Sequence, residues 1–156
     1  LTVEPDDLTR APVRELIAEH LSDMHATSPA DSVHALDHAG LRDAGVSFWT
    51  VWDGTTLLGC GALKELSPTE GEIKAMRTVA AARGRGVGAH MLRFLIDEAR
   101  NRGYRRVSLE TGTQDFFAPA HRLYARHGFV PCPPFADYVL DPHSVFMTLP
   151  LAAAAG

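Results

Sequence analysis

The clearest chemical signal in the chain is the run Arg83-Gly84-Arg85-Gly86-Val87-Gly88, where glycines alternate with larger residues just before a long amphipathic segment. Glycine removes the side chains that block close approach to a backbone. A helix start leaves about four N–H groups without partners and carries partial positive charge. Together these features make a site for phosphate oxygens, and Arg83 and Arg85 add full charge. Taken alone, the hexapeptide reads equally as a pyrophosphate cradle or as a turn that merely starts a helix. Gly84-x-Gly86-x-x-Ala89 formally matches a dinucleotide fingerprint, with Glu110 placed 22 residues past Gly88, where an acid would bind a ribose. Against that reading, Ala80-Ala81-Ala82-Arg83 intervenes between strand and glycines, and a single short helix follows instead of repeated strand–helix units.

The remaining reactive residue types point to no second chemistry. His34 and His38 form an i, i+4 pair without an obvious third ligand, so no metal is expected. Cys60 and Cys132 lie in apolar surroundings and read as buried thiols, which fits a reducing, cytoplasmic setting. A chain of 156 residues, 46% hydrophobic and 22% charged, fits one globular domain over residues 1–151 with a flexible tail at 152–156. No apolar run approaches the length of about 18 residues that spans a membrane. The net charge of −4 argues against nucleic acid as the main ligand and sets off the local cluster of Arg77, Arg83 and Arg85.

The elements that must position this stretch follow from periodicity. A short strand is predicted at 2–4, then a helix capped by Asp7 or Thr9, with Pro12 in its first turn and Val13, Leu16, Ile17, His20, Leu21 and Met24 at helical spacing. A second helical candidate covers 32–41. Strands are predicted at 46–52, 57–66 and 72–79, the first two joined by an Asp53-Gly54 hairpin turn and the second weakened or bulged at Gly59 and Gly61. Residues 86–102 form the best helix, with a stripe of Val87, Met91, Leu92, Leu95 and Ala99 and a stop at Gly103. A strand at 106–110, a loop at 111–116, a helix at 119–127, a strand from 129 and a final strand at 144–149 complete the chain. The order β-α-α-β-β-β-α-β-α-β-β predicts an α/β fold with one mixed sheet and helices on both faces.

Two segments together resemble the GNAT superfamily of N-acetyltransferases. The first is Glu72-Ile73-Lys74-Ala75-Met76-Arg77-Thr78-Val79 followed by Arg83–Gly88, similar to the family's strand, Gln/Arg-x-x-Gly-x-Gly/Ala turn and helix. The second, Ala120-His121-Arg122-Leu123-Tyr124-Ala125-Arg126-His127-Gly128-Phe129, resembles Ala-x-x-Leu-Tyr-x-x-x-Gly-Phe. The resemblance covers about residues 46–149, and segments 72–78, 108–112 and 134–147 resemble an uncharacterised bacterial branch of the superfamily. It implies a mostly antiparallel mixed sheet whose two central parallel strands, 72–79 and 106–110, splay apart to hold acetyl-CoA.

By that resemblance, backbone groups of Met76, Thr78 and Val79 bond the pantetheine. The N–H groups of Arg85, Gly86, Val87 and Gly88 hold the pyrophosphate, together with Gly84 and the side chains of Arg83 and Arg85. The implied reaction is direct attack of a primary amine, on a small molecule or amino acid, within a ternary complex with acetyl-CoA. An ammonium with a pKa of about 10.4 must first lose a proton. Glu72 is the first candidate base and Glu110 the second. Tyr124 matches the family's general-acid tyrosine at the leaving sulfur. Many members carry an Asn where this chain has Phe117, so Thr113 or Gln114 is a candidate replacement. The acceptor site is implied near the first two helices and the loop before the last strand, which brings in His34, Asp137 and Tyr138, with Arg77 as a partner for a substrate carboxylate. The edge strands also fit a homodimer. A CoA-binding regulatory protein without turnover and an NAD(P)-dependent oxidoreductase are the alternatives.

Overall fold

The computed structural model describes residues 1–27 and 36–151, the side chain of His38 excepted. Strands β1 (Thr2–Pro5), β2 (Val46–Asp53), β3 (Thr56–Ser67), β4 (Glu70–Thr78), β5 (Arg106–Gly112), β6 (Val130–Pro131) and β7 (Ser144–Pro150) form one seven-stranded sheet in the order β1-β2-β3-β4-β5-β7-β6. Every neighbouring pair is antiparallel except β4 and β5. The helices are α1 (Ala11–Thr27), α2 (His38–Leu41), α3 (Val87–Asn101) and α4 (Ala118–Arg126).

The alternation in β2 divides the core between the two faces. Phe48 and Trp52 join Val13, Leu16 and Ile17 of α1 on one side. Trp49 and Val51 join Met91, Leu92 and Leu95 of α3, with Tyr124 and Phe129, on the other. The α3 stripe is buried as its spacing predicts, with Ile96 added to it. Helix α1 starts later than its capping candidates suggest. Asp7 closes a tight turn on Thr9, accepting from its backbone N–H at 3.1 Å and its hydroxyl at 2.6 Å, and the helix begins at Ala11.

Three other departures have physical reasons. Of the helical candidate at 32–41, the described part is α2, which Asp37 caps by accepting from the Gly40 N–H at 2.8 Å; residues 32–35 lie outside the described residues. The predicted loop at 111–116 begins later, because Thr111 and Gly112 pair with Val145 and Ser144 and extend β5. A single 3₁₀ turn, Asp115–Phe117, then leads into α4. The irregularity expected near Gly59 and Gly61 is found on both sides of β3: opposite β2, Leu58 is the extra residue beside Gly59, while opposite β4 the extra residue lies on the partner strand. Cys60 pairs with Arg77 and Ala62 with Lys74, so Ala75 and Met76 together oppose Gly61. Ala75 takes up this β-bulge with φ of +54°, a left-handed conformation that costs about 1 kcal/mol or more for a residue with a side chain.

The parallel seam is short. Glu70 pairs with Arg106, Gly71 with Val107 and Glu72 with Ser108, and there the pairing ends. At the middle pair, a Cβ on Gly71 would lie 2.7 Å from the Tyr104 ring, so glycine allows that ring to pack onto the strand.

Candidate active site

Beyond Glu72 and Ser108, β4 and β5 run on to Thr78 and Gly112 without pairing with each other. The opening between them forms a cavity of about 670 Å³. Its rims are strand edges with backbone N–H and C=O groups that have no partner across the gap, and such groups demand a ligand or water. Of the predicted cofactor residues, Met76, Thr78, Arg83, Gly84, Gly86, Val87 and Gly88 line this cavity, while Val79 and Arg85 do not. The Val79 N–H already donates to the Leu58 carbonyl at 2.8 Å, which removes it as a donor to a ligand, and Arg85 is exposed.

The glycine turn has the backbone its composition suggests. Gly84 and Gly86 sit at φ of +77° and +80°, and Gly86 caps α3. The first bond of that helix runs from the His90 N–H to the Gly86 carbonyl at 3.0 Å, so the N–H groups before His90 end the helix at the cavity. A Cβ on Gly88 would lie 3.3 Å from Leu123 of α4, so the two helices close tightly around this end. The cradle therefore fits a pyrophosphate: open backbone donors, partial positive charge and no side chain in the way.

At the other end of the fork stand the ionisable residues. Tyr124 on α4 is buried, packs against Phe129 with ring centres 5.8 Å apart, and lines the cavity. Burial first, then the nearby Glu110 carboxylate, pushes its hydroxyl up to about 12. Glu110 is pushed up to about 7, chiefly by burial; a hydrogen bond from Ser144 Oγ at 3.2 Å and the charge of Lys74 pull the other way.

Glu72 is only 2% exposed, and its Oε2 accepts from the Tyr138 hydroxyl at 2.6 Å and from Lys74 Nζ at 3.2 Å. Lys74 Nζ also donates to Tyr138 Oη at 2.9 Å. Tyr138 reaches the strand from the loop between β6 and β7, its ring held between Phe135 and Phe146. Burial and the Glu72 carboxylate hold its hydroxyl far above the ordinary tyrosine range.

Of the other predicted acceptor residues, Arg77 also lines the cavity. The Arg77 guanidinium lies buried beneath α1, donating to Glu19 at 2.6 Å and to Asp23, so the residue expected to meet a substrate carboxylate already has two acidic partners. His20 beside it is held neutral, lowered to about 4 by burial first and then by the Arg77 charge. Asp137 is exposed and is not a wall of the cavity. His34 lies outside the described residues. Phe117 is buried, and Thr113 Oγ1 turns away to the Pro142 carbonyl at 3.4 Å. Among the described residues no three His, Cys, Asp or Glu side chains are grouped to hold a metal.

Sequence reasoning missed Lys74, Ser144, Glu19 and Asp23. One signal was available: on a strand, Lys74 shares a face with Glu72 two residues before it.

Among the described residues the topology provides no repeated parallel strand–helix units, which removes the dinucleotide reading of the glycines. A fork between two parallel strands, closed by a glycine turn and a buried tyrosine, defines a CoA-type acyltransferase fold. The profile of the Acetyltransferase (GNAT) family matches residues 12–129, and the chain belongs to that family. Membership brings acetyl-CoA-dependent acetyl transfer as the class of reaction. Over 146 residues the chain is 51% identical to the uncharacterized N-acetyltransferase YsnE of Bacillus subtilis, covering 94% of this chain and 97% of that one. A crystal structure from Klebsiella pneumoniae, of a candidate acyl-CoA N-acyltransferase, superposes with a TM-score of 0.77 at 29% identity, covering 97% of both chains. The fold is also that of a GNAT family acetyltransferase from Elizabethkingia anophelis with acetyl-CoA bound, at a TM-score of 0.63 and 17% identity over 96% of this chain and 97% of that one. Among the described residues no helix is long and apolar enough to cross a membrane.

Proposed function

We propose that the protein acetylates the primary amine of a small molecule or amino acid. The observation that carries this reading is the fork, which brings the glycine cradle, Tyr124 and Glu110 to one cavity. Acetyl-CoA supplies the thioester that the amine attacks directly. The N–H groups of Val87 and Gly88 hold the pyrophosphate, Arg83 adds charge at the cavity wall, and the free edge of β4 at Met76 and Thr78 orients the pantetheine.

Glu110 takes the proton of the acceptor amine. A carboxyl near 7 is half ionised at neutral pH and accepts a proton better than an ordinary carboxylate. Glu72 is less free, because its Oε2 is already engaged by Tyr138 and Lys74. Tyr124 serves the leaving sulfur as a hydrogen-bond donor. At about 12 its hydroxyl is far less acidic than a thiol of about 8.5, so it stabilises developing charge without surrendering its proton outright.

The test is thiol release from acetyl-CoA with tyramine, spermidine, alaninamide and lysine as acceptors. Turnover with at least one is expected, and Tyr124→Phe should slow it about 10²-fold while acetyl-CoA still raises the melting temperature. Stabilisation by acetyl-CoA with no turnover on any amine would favour a binding protein instead. An unchanged rate in Tyr124→Phe would return that residue to a packing role.

A further inference from the structure

Glu72 pairs with Ser108 across the parallel seam, so Glu72, Lys74, Ser108 and Glu110 project to the same face of the sheet. Two carboxylates therefore stand on adjacent strands, and both line the cavity of the fork. The Glu72 charge adds to the burial that raises the Glu110 carboxyl. The surroundings of the two are unequal. Glu72 accepts from both Lys74 and Tyr138, and the Lys74 and Glu72 side chains are only 9% and 3% exposed. Glu110 has one neutral donor, the Ser144 hydroxyl.

We propose that Lys74 is a positioning residue for the reaction: its ammonium pins the Glu72 carboxylate against Tyr138 and cancels its charge, which leaves Glu110 as the carboxylate of the fork that takes the amine's proton. The inference rests on the reading of Glu110 as base. The groups facing Glu110 are Glu72 and Lys74 from β4, Ser144 from β7, Asp141 and Tyr138 from the preceding loop, and Tyr124 from α4. Lys74 is the only cation among them. Without it, the charges of Glu72 and Asp141 act on Glu110 with no offset from Lys74, and the Glu110 carboxyl is held further above its ordinary range.

The experiment follows the Glu110 carboxyl directly, by ¹³C NMR of protein labelled at glutamate Cδ, the resonance assigned by its loss in Glu110→Gln. In Lys74→Met the Glu110 midpoint should rise by about one pH unit or more, the usual scale for losing a close opposite charge. Lys74→Arg, which restores the charge, should bring it back. Glu72→Gln should move it the other way, because an anion is removed while Lys74 remains. A midpoint that stays in place or falls in Lys74→Met overturns the inference. Should Lys74→Met fail to fold, the Lys74→Arg and Glu72→Gln pair decides: the inference requires an unmoved midpoint in the first and a fall in the second, and any other result overturns it. The base reading is tested separately. If Glu110→Gln keeps the wild-type pH profile of kcat/KM on an amine that the wild type acetylates, that reading fails whatever the NMR midpoints do.

Discussion

Glu110 links the chemistry to stability. Its carboxyl titrates at about 7 instead of the ordinary 4.5, so between those values the folded chain binds more protons than the unfolded one. The stability this group contributes is present at low pH and lost as pH rises through 7. His20 has the opposite sign. Held neutral and lowered to about 4, it makes the unfolded chain the better proton binder below 6.5, so its contribution is lost as pH falls toward 4. The two slopes oppose each other over much of the acidic range, and a single substitution separates them. Glu110→Gln should gain on the order of 2 kcal/mol over the wild type at pH 8 relative to pH 5, with partial screening by solvent allowed for, as measured by urea unfolding. Parallel stability curves for the two proteins would show that burial does not tax this carboxylate.

At the scale of elements, α3 and the turn before it are the part of the site that the residues themselves announce. Val87, Met91, Leu92, Leu95 and Ala99 repeat at helical spacing and are all buried, and the observed helix starts one residue after the predicted one. Gly84 and Gly86 are needed for their left-handed backbone, where a side chain brings strain. Gly86→Glu places bulk and negative charge at the end of the helix that receives phosphate. The variant is expected to fold with a lower melting temperature and to lose the stabilisation that acetyl-CoA gives the wild type; a wild-type ligand shift would move the phosphate site elsewhere. Other elements were hidden for definite reasons. The bulge at Ala75 and Met76 has no glycine of its own to mark it, and it shows only once β3 is aligned beside β4. The end of β5 looks like a loop until Ser144 and Val145 pair with it. The partners of the ionisable residues are the least legible of all. Tyr138 meets Lys74 across 64 positions of sequence, and Arg77 meets Glu19 across 58, distances over which local pattern carries no information.

For the molecule as a whole, the fork divides one sheet into a half built from β1 to β4 and a half built from β5 to β7, joined directly by only three residue pairs. Residues on the free edges of Ile73–Thr78 and Leu109–Gly112 lack ladder bonds across the gap, and a pantetheine lying there would supply them. Hydrogen exchange at 76–78 and 109–112 should therefore slow on addition of acetyl-CoA, while the interior of β2 stays unchanged. Equal slowing throughout the sheet would mean a general gain in stability instead of a ligand held in the gap.

One pair inside the point where the fork opens lies Gly71, where the Tyr104 ring packs onto the strand, its hydroxyl fixed to Glu65 at 2.9 Å. With three residue pairs joining β4 to β5, the packing on each of them bears directly on how the two half-sheets meet. Enlarging position 71 by a single methyl group would bring a Cβ within 2.7 Å of that ring and force it outward, so Gly71→Ala is expected to lower the melting temperature.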